Sequence, residues 1–386
     1  MKKTTAWIVL PLFLGGCKLL PTSPSGAQKV ESNTKIVAPD QFQPSQRRSH
    51  KESISEVAYQ LKFRSQQVLD DPSDQKSHLL LASYYARMNK NKEAIKHLEQ
   101  ANLIKPLKEE DQLTLAHLYA DSNRLNDAMS IYKRFFKQYP DDWKVKNDIA
   151  NVYRKQREFS KAQDIAEQLL KENKDNIFAM HTLANIYYDQ RKYDLAELTL
   201  QRARKLNPKN AETWNQLGLV YAKKAMRDES QRSFLAATEQ NPQLIEPKLN
   251  LAQNYIEHYD FNNAVKLYKD ILEIEPLNLT ANYHLGVSSA SLGLDEQAEE
   301  HFTNILKLDP TNAQAMYAMG IFSQYNVQDG QKAVKYYERF IALSPGLSKR
   351  HEVFNHLKFA QKMPPKVAPA PAPDASNAAK SKETGK

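Results

Sequence analysis

The sequence predicts an all-α solenoid, and three observations predict it. A pattern returns every 34 residues in one unbroken register from Gln75 to Asn312. Its eighth position is always small: Ala82, Ala116, Ala150, Ala184, Gly218, Ala252 and Gly286. Its thirty-second position is Pro106, Pro140, Lys174, Pro208, Pro242, Pro276 and Pro310. A fixed period of this length means stacked supersecondary units.

Taken in chain order, residues 1–16 read as an export signal. Lys2 and Lys3 form its positive start, and Ala6–Leu14 is an apolar stretch too short to span a bilayer. It runs into Leu14-Gly15-Gly16-Cys17, which resembles the bacterial lipoprotein signal. That resemblance implies cleavage before Cys17 and acylation of its thiol, palmitate included. Cys17 is the only cysteine, so no internal disulfide forms. Several acyl chains on one residue give stable anchoring. Lys18 and Leu19 follow, where an aspartate would mark retention in the inner membrane. The expected location is therefore the outer membrane, facing the periplasm. Residues 17–50, rich in Pro, Ser and Gln, read as a flexible tether.

Residues 51–74 hold an amphipathic helix, Ser53–Leu69, ahead of Asp71-Pro72. Pro72 is in phase with the later prolines, so this is the second half of a degenerate repeat. The array fills 75–346 as units 75–108, 109–142, 143–176, 177–210, 211–244, 245–278, 279–312 and 313–346. Each reads as two helices. In 211–244, Trp214, Leu217, Gly218 and Tyr221 share one face of the first, and Ser230, Phe234 and Ala237 share one face of the second. Proline then stops the second helix, because it lacks an N–H and restricts the residue before it. A single hairpin cannot bury its apolar face, so neighbours must stack.

Two units depart from the pattern. The third has Lys174 for proline and Ala166 where a ring is usual, so its helix end is expected to be looser. The eighth runs one residue late in its second half (Ala333, Tyr337, Pro345), which places an insertion around Asn326–Gly330. Residues 347–363 read as a capping helix from Ser348 to Met363, and 364–386 as a disordered Pro/Ala/Lys tail.

The run Trp214-x2-Leu217-Gly218-x2-Tyr221 resembles the tetratricopeptide-repeat (TPR) family. So do the small twentieth position (Ala94, Ala128, Ala162, Ala196, Ser230, Ala264, Ala298) and the terminal proline. The resemblance covers 75–312. It implies a right-handed superhelical solenoid of about eight TPR helix-turn-helix units with flanking helices. It also implies that first helices line a concave groove with positions 2, 5, 9 and 12. Carried onto this chain, that rule gives partner-binding candidates Lys144, Asn147, Asn151, Arg154, Phe178, His181, Asn185, Tyr188, Asn215, Tyr283 and Tyr317. Leu249, Ile256, Val287 and Ile321 make the later part more apolar. Asparagine carries donors and an acceptor, so Asn151 and Asn185 are expected to pair with the backbone of an extended peptide. Members that grip a C-terminal carboxylate carry lysine at position 5, with basic residues two units later. Asn147 and Glu212 stand there instead, which argues against carboxylate capture.

No Gly-rich phosphate loop and no G-x-S-x-G elbow is present. His351 and His356 are five apart, which on a helix turns the second about 140° from the first, too far for a shared zinc. No enzyme activity, cofactor or metal is expected. The net charge is +9; removing 1–16 takes Lys2 and Lys3 and no acid, leaving +7. An exported chain has no nucleic acid to meet, so the charge points at most to weak contact with anionic lipid or peptidoglycan. The resemblance implies a non-catalytic scaffold that binds envelope proteins or peptides in its groove. The expected setting is assembly of an envelope machine (type IV pilus and secretin, or gliding motility). The alternatives are an adaptor recruiting peptidoglycan hydrolases or synthases, and a direct binder of cell-wall glycan.

Overall fold

A computed structural model describes residues 53–365. The signal, Cys17, the tether and the tail beyond 365 lie outside the described residues. Among the described residues the regular elements are all helices, and none is long and apolar enough to cross a membrane. The chain divides into two compact units between Ala281 and Asn282.

The first unit opens with α1 (Ile54–Asp70). Six helix pairs follow: α2 (Gln75–Arg87) with α3 (Asn91–Ile104), α4 (Glu109–Asp121) with α5 (Leu125–Gln138), α6 (Trp143–Lys155) with α7 (Phe159–Glu172), α8 (Ile177–Asp189) with α9 (Tyr193–Leu206), α10 (Ala211–Lys223) with α11 (Arg227–Gln240), and α12 (Ile245–Glu257) with α13 (Phe261–Ile274). The division falls within α14 (Leu279–Ser291). The second unit continues with α15 (Asp295–Leu308), α16 (Ala313–Tyr325), α17 (Gly330–Ala342) and α18 (Val353–Gln361).

Helix starts are fixed by side chains. Ser53 accepts the Glu56 amide at 3.1 Å and starts α1. Asp or Asn just ahead of a first helix does the same in most repeats. Asp142 accepts the Lys144 amide at 2.8 Å, Asn210 that of Thr213 at 2.8 Å, and Asn312 that of Ala315 at 2.9 Å. The turn inside each pair repeats as faithfully. The fifteenth residue adopts a left-handed conformation in every unit up to the seventh: Asn89, Asn123, Arg157, Arg191, Ala225, Tyr259 and Gly293, with φ from 57° to 71°. The next amide then reaches back to the carbonyl five residues earlier, as Lys192 does to Tyr187 at 2.8 Å and Met226 to Tyr221 at 2.9 Å. In the last repeat the left-handed residue is Gln328, one position late, inside a connection of four residues rather than three. The extra residue therefore sits in that turn.

Packing within a pair depends on position 8. A Cβ added to Gly218 would stand 2.5 Å from the Phe234 ring, and one added to Gly286 would stand 2.7 Å from that of Phe302. Small residue and ring fill one space, and the backbones approach accordingly. Where the ring is missing, at Ala166, the space is closed by Leu183, Ile186, Phe159 and Tyr187. α7 still ends in phase, its cap amide at Asn173 bonding Leu169 at 2.9 Å. The looser end expected from Lys174 is not found. The Asn173 side chain makes the turn without proline, its Oδ1 accepting the Asp175 amide at 3.0 Å.

The capping segment is shorter than expected. Residues 349–352 form turns and a bend, and α18 begins only at Val353, whose amide donates to His351 Nδ1 at 3.1 Å. Gly330 lets it close on α17: a Cβ there would lie 2.5 Å from the Ala360 carbonyl oxygen.

Two substitutions test this geometry. Gly218→Ala overpacks against Phe234 and should lower stability by about 1–3 kcal/mol. Ala225→Gly removes left-handed strain and should raise it by about 0.5–1 kcal/mol. Denaturant midpoints of the full chain measure both, and a neutral Gly218→Ala contradicts the close approach.

Candidate partner-binding face

The first helices of repeats three to six, α6, α8, α10 and α12, carry the richest polar face of the first unit. Their side chains join neighbouring repeats. Thr182 donates to Asn147 Oδ1 at 2.8 Å, and the Asn151 amide donates to the Asn147 carbonyl at 3.1 Å and to Thr182 Oγ1 at 3.4 Å. Thr213 Oγ1 donates to Asn210 at 3.0 Å, so it must accept from His181 Nε2, 2.7 Å away. Asn250 donates to Asn215 at 2.9 Å. Arg154 pairs with Asp189 one repeat on. At the edge of this face His117 Nε2 meets Asp148 at 3.3 Å.

This arrangement revises the expected lining. Asn147, Asn151, Arg154, His181, Asn185 and Asn215 are buried. The Asn151 amide nitrogen is already committed, so it is not a free donor for a peptide backbone. Position 5 of one repeat meets position 3 or 6 of the next, and a polar residue at each place turns the seam into a hydrogen-bonded one. Lys144 and Phe178 are the exposed members of the set. Phe178 stacks on Trp143 with centroids 5.1 Å apart, and Lys144 Nζ lies 6.0 Å from the Trp143 ring. Tyr188 is half-buried and meets Tyr193 edge-on at 5.6 Å.

In the second unit Tyr283 and Tyr317 are half-buried. Tyr283 tilts against Phe302, and Tyr317 packs among Tyr337, Phe340, His351 and His356. The two histidines have structural roles. His351 caps α18, and His356 stacks on Tyr337 at 5.9 Å with Nδ1 3.2 Å from the Tyr325 hydroxyl. Among the described residues no group of three or more His, Cys, Asp or Glu is placed to hold a metal ion.

The electrostatics of the face come from burial. Burial pulls the His181 imidazole down to about 4, so it is neutral and its Nδ1 is an acceptor. Burial pushes the Glu212 carboxyl up to about 7, a hydrogen bond from Gln216 opposes this, and the Glu246 charge adds to it. His117 moves the other way. Burial depresses it, yet the Asp148 hydrogen bond and charge outweigh that and raise it.

Thr182, Thr213, Asn250 and Gln216 fall outside the sequence rule, which follows only positions 2, 5, 9 and 12. Their signal is present all the same: a polar residue at position 6 of three successive first helices, and at position 3 of the middle one, where aliphatics would serve packing.

Family comparisons bear on the whole array. The Psidin N-terminal TPR repeats region matches residues 63–194. A TPR repeat matches 184–224, and tetratricopeptide repeats match 211–244 and 249–318. The repeats are tetratricopeptide repeats. Solved TPR structures are similar in fold. YrrB, described as a TPR protein with an unusual peptide-binding site, is 21% identical with a TM-score of 0.43, over 50% of this chain and 97% of that one. The APC/C hetero-tetramer Cut9–Hcn1 is 13% identical with a TM-score of 0.48, over 80% of this chain and 62% of that one. A thermophilic TPR protein of Thermus thermophilus is 21% identical with a TM-score of 0.41, over 47% of this chain and 98% of that one. No curated protein matches the chain.

The buried histidine gives a pH prediction with a definite sign. The folded pKa of His181 lies below its unfolded value of 6.5. Its contribution to stability is therefore whole above 6.5 and is lost as pH falls toward 4. Melting temperatures should fall on acidification from neutral pH toward that lower value, and more steeply in the parent than in His181→Gln. Parallel curves contradict a neutral buried imidazole.

Proposed function

We propose that this chain is a non-catalytic scaffold anchored by lipid to the outer membrane, where it holds partner proteins in the periplasm on the inner face of its TPR array. The observation that carries the binding reading is the exposed Phe178 ring stacked on Trp143 beside Lys144, on a face otherwise stiffened by hydrogen bonds between repeats. A large aromatic left partly in water on a rigid support is the usual anchor of a protein contact. The anchoring reading is supported by the Leu14-Gly15-Gly16-Cys17 sequence. Assembly of an envelope machine, a type IV pilus and secretin or a gliding apparatus, is the role this layout fits best.

The binding test uses exposed residues, because truncating Asn151 would also loosen the seam between α6 and α8. Partners recovered from crosslinked envelopes should be lost with Phe178→Ala plus Lys144→Ala. Full retention by the double variant overturns the inner-face reading. Cys17→Ala should release the protein to the soluble periplasmic fraction, and unchanged membrane association overturns the anchor.

A further inference from the structure

The polar groups left over on the inner face of α8 and α10 are all acceptors. The Gln216 side-chain nitrogen donates to Glu212 at 3.0 Å, which fixes the amide and leaves Oε1 without a partner in a side chain only 4% exposed. His181 spends its one N–H on Thr213, which leaves Nδ1 buried and unpartnered. Asn151 Oδ1 on α6 is likewise orphaned. Buried acceptors without donors are costly, and their unbalanced dipoles make the potential of this face more negative.

Charge points the same way. Glu212 and Glu246 occupy the same position of successive repeats and are half-buried. Among the described residues neither has an ion-pair partner. They are close enough that the Glu246 charge helps to push the Glu212 carboxyl up. No lysine or arginine stands on α8, the one lysine of α10, Lys223, is its last residue, three turns on from Glu212, and the one lysine of α12, Lys248, is turned to Asp270 at 3.8 Å. The cations of α6 other than Lys144 are paired, Lys146 with Glu172, Arg154 with Asp189 and Lys155 with Asp121. Phe178, one repeat before Glu212 in the same register, offers an exposed ring face. In a chain of net charge +9 the strip around Glu212 and Glu246 is locally acidic.

We propose that this strip binds a basic extended peptide segment of a partner protein, with lysine or arginine side chains held by Glu212 and Glu246 and flanked by the Phe178 ring. The inference rests on the inner face being the partner-binding face. Spacing sharpens it. Packed helices lie about 8–10 Å apart and an extended chain rises about 3.3 Å per residue, so successive carboxylates meet basic residues about three apart. Ammonium and guanidinium groups bring only donors, which is what the two half-buried carboxylates accept. This is the inverse of carboxylate capture.

The test is fluorescence anisotropy of the full-length protein with three labelled fifteen-residue Gly/Ser peptides. They carry Lys-x-x-Arg, Gln-x-x-Gln or Glu-x-x-Glu at the centre. The basic peptide should bind at least tenfold tighter than the other two. The double variant Glu212→Gln plus Glu246→Gln should weaken it at least tenfold, and Phe178→Ala should weaken it less. Replacing Glu212 by Gln removes a buried charge, so the double variant should melt no lower than the parent, and lost binding then reports the site. Equal binding of the three peptides, or a basic peptide indifferent to the double variant, overturns the proposal. Envelope partners that are lost with Phe178→Ala plus Lys144→Ala yet retained by the glutamine variant would overturn it too, while leaving the inner-face reading intact.

Discussion

Everything else in the array depends on two helix backbones coming close at one small residue. Gly218 under the Phe234 ring and Gly286 under that of Phe302 leave no room for a Cβ. That approach sets how each pair packs, and the pair then presents an apolar stripe that only its neighbour covers. Leu81, Leu98, Ile149, Leu217 and Ile271 are buried this way, and their burial dominates the stability of the array. The left-handed turn at position fifteen is held by the same demand. Arg157, Arg191 and Tyr259 accept a conformation that costs L-residues about 1–2 kcal/mol, because the hairpin closes nowhere else.

The polar seams between repeats follow from this stiffness. Once first helices are held side by side, Asn147 with Thr182 and Asn215 with Asn250 find partners across the gap without further ordering of the backbone. Among the amides, hydroxyls and imidazole of these seams, acceptors rather than donors are left over. Amide nitrogens, threonine hydroxyls and the His181 N–H are used, while Asn151 Oδ1, Gln216 Oε1 and His181 Nδ1 are left. The stacking that holds the fold together thus also sets the chemistry of its inner face. The acidity of the strip has the same origin, since packing withdraws the Glu212 carboxyl from water while Glu246 sits one repeat away.

The architecture was legible because it repeats. Small residues at position 8, tyrosine three further on in the first six units, and proline near the end in all but the third of seven each recur at 34 residues, and a helical period admits one reading. Even the slip in the last repeat was legible, as a count one residue long. Three things were not. The end of α7 near Lys174 is held by the Asn173 side chain, whose Oδ1 accepts the Asp175 amide at 3.0 Å, a turn signal that a rule built on proline passes over. The late start of α18 depends on His351 turning back to cap it. The burial of Asn147, Asn151 and His181 depends on what faces them from the next repeat, and a rule that names inward positions does not say how deep they sit. Cys17 and the chain before it lie outside the described residues, so the proposed anchor is argued from sequence alone.

The central claim is that the inner face of α6–α12 meets the partner and the outer helices do not. In-cell photocrosslinking tests it most directly, with a benzophenone amino acid at Phe178 or Lys144 and, as comparison, at Leu103 or Leu198 on the second helices, which are 77% and 69% exposed. A defined adduct from the first two positions and none from the second two is the expected result. Adducts from Leu103 or Leu198 alone would contradict it.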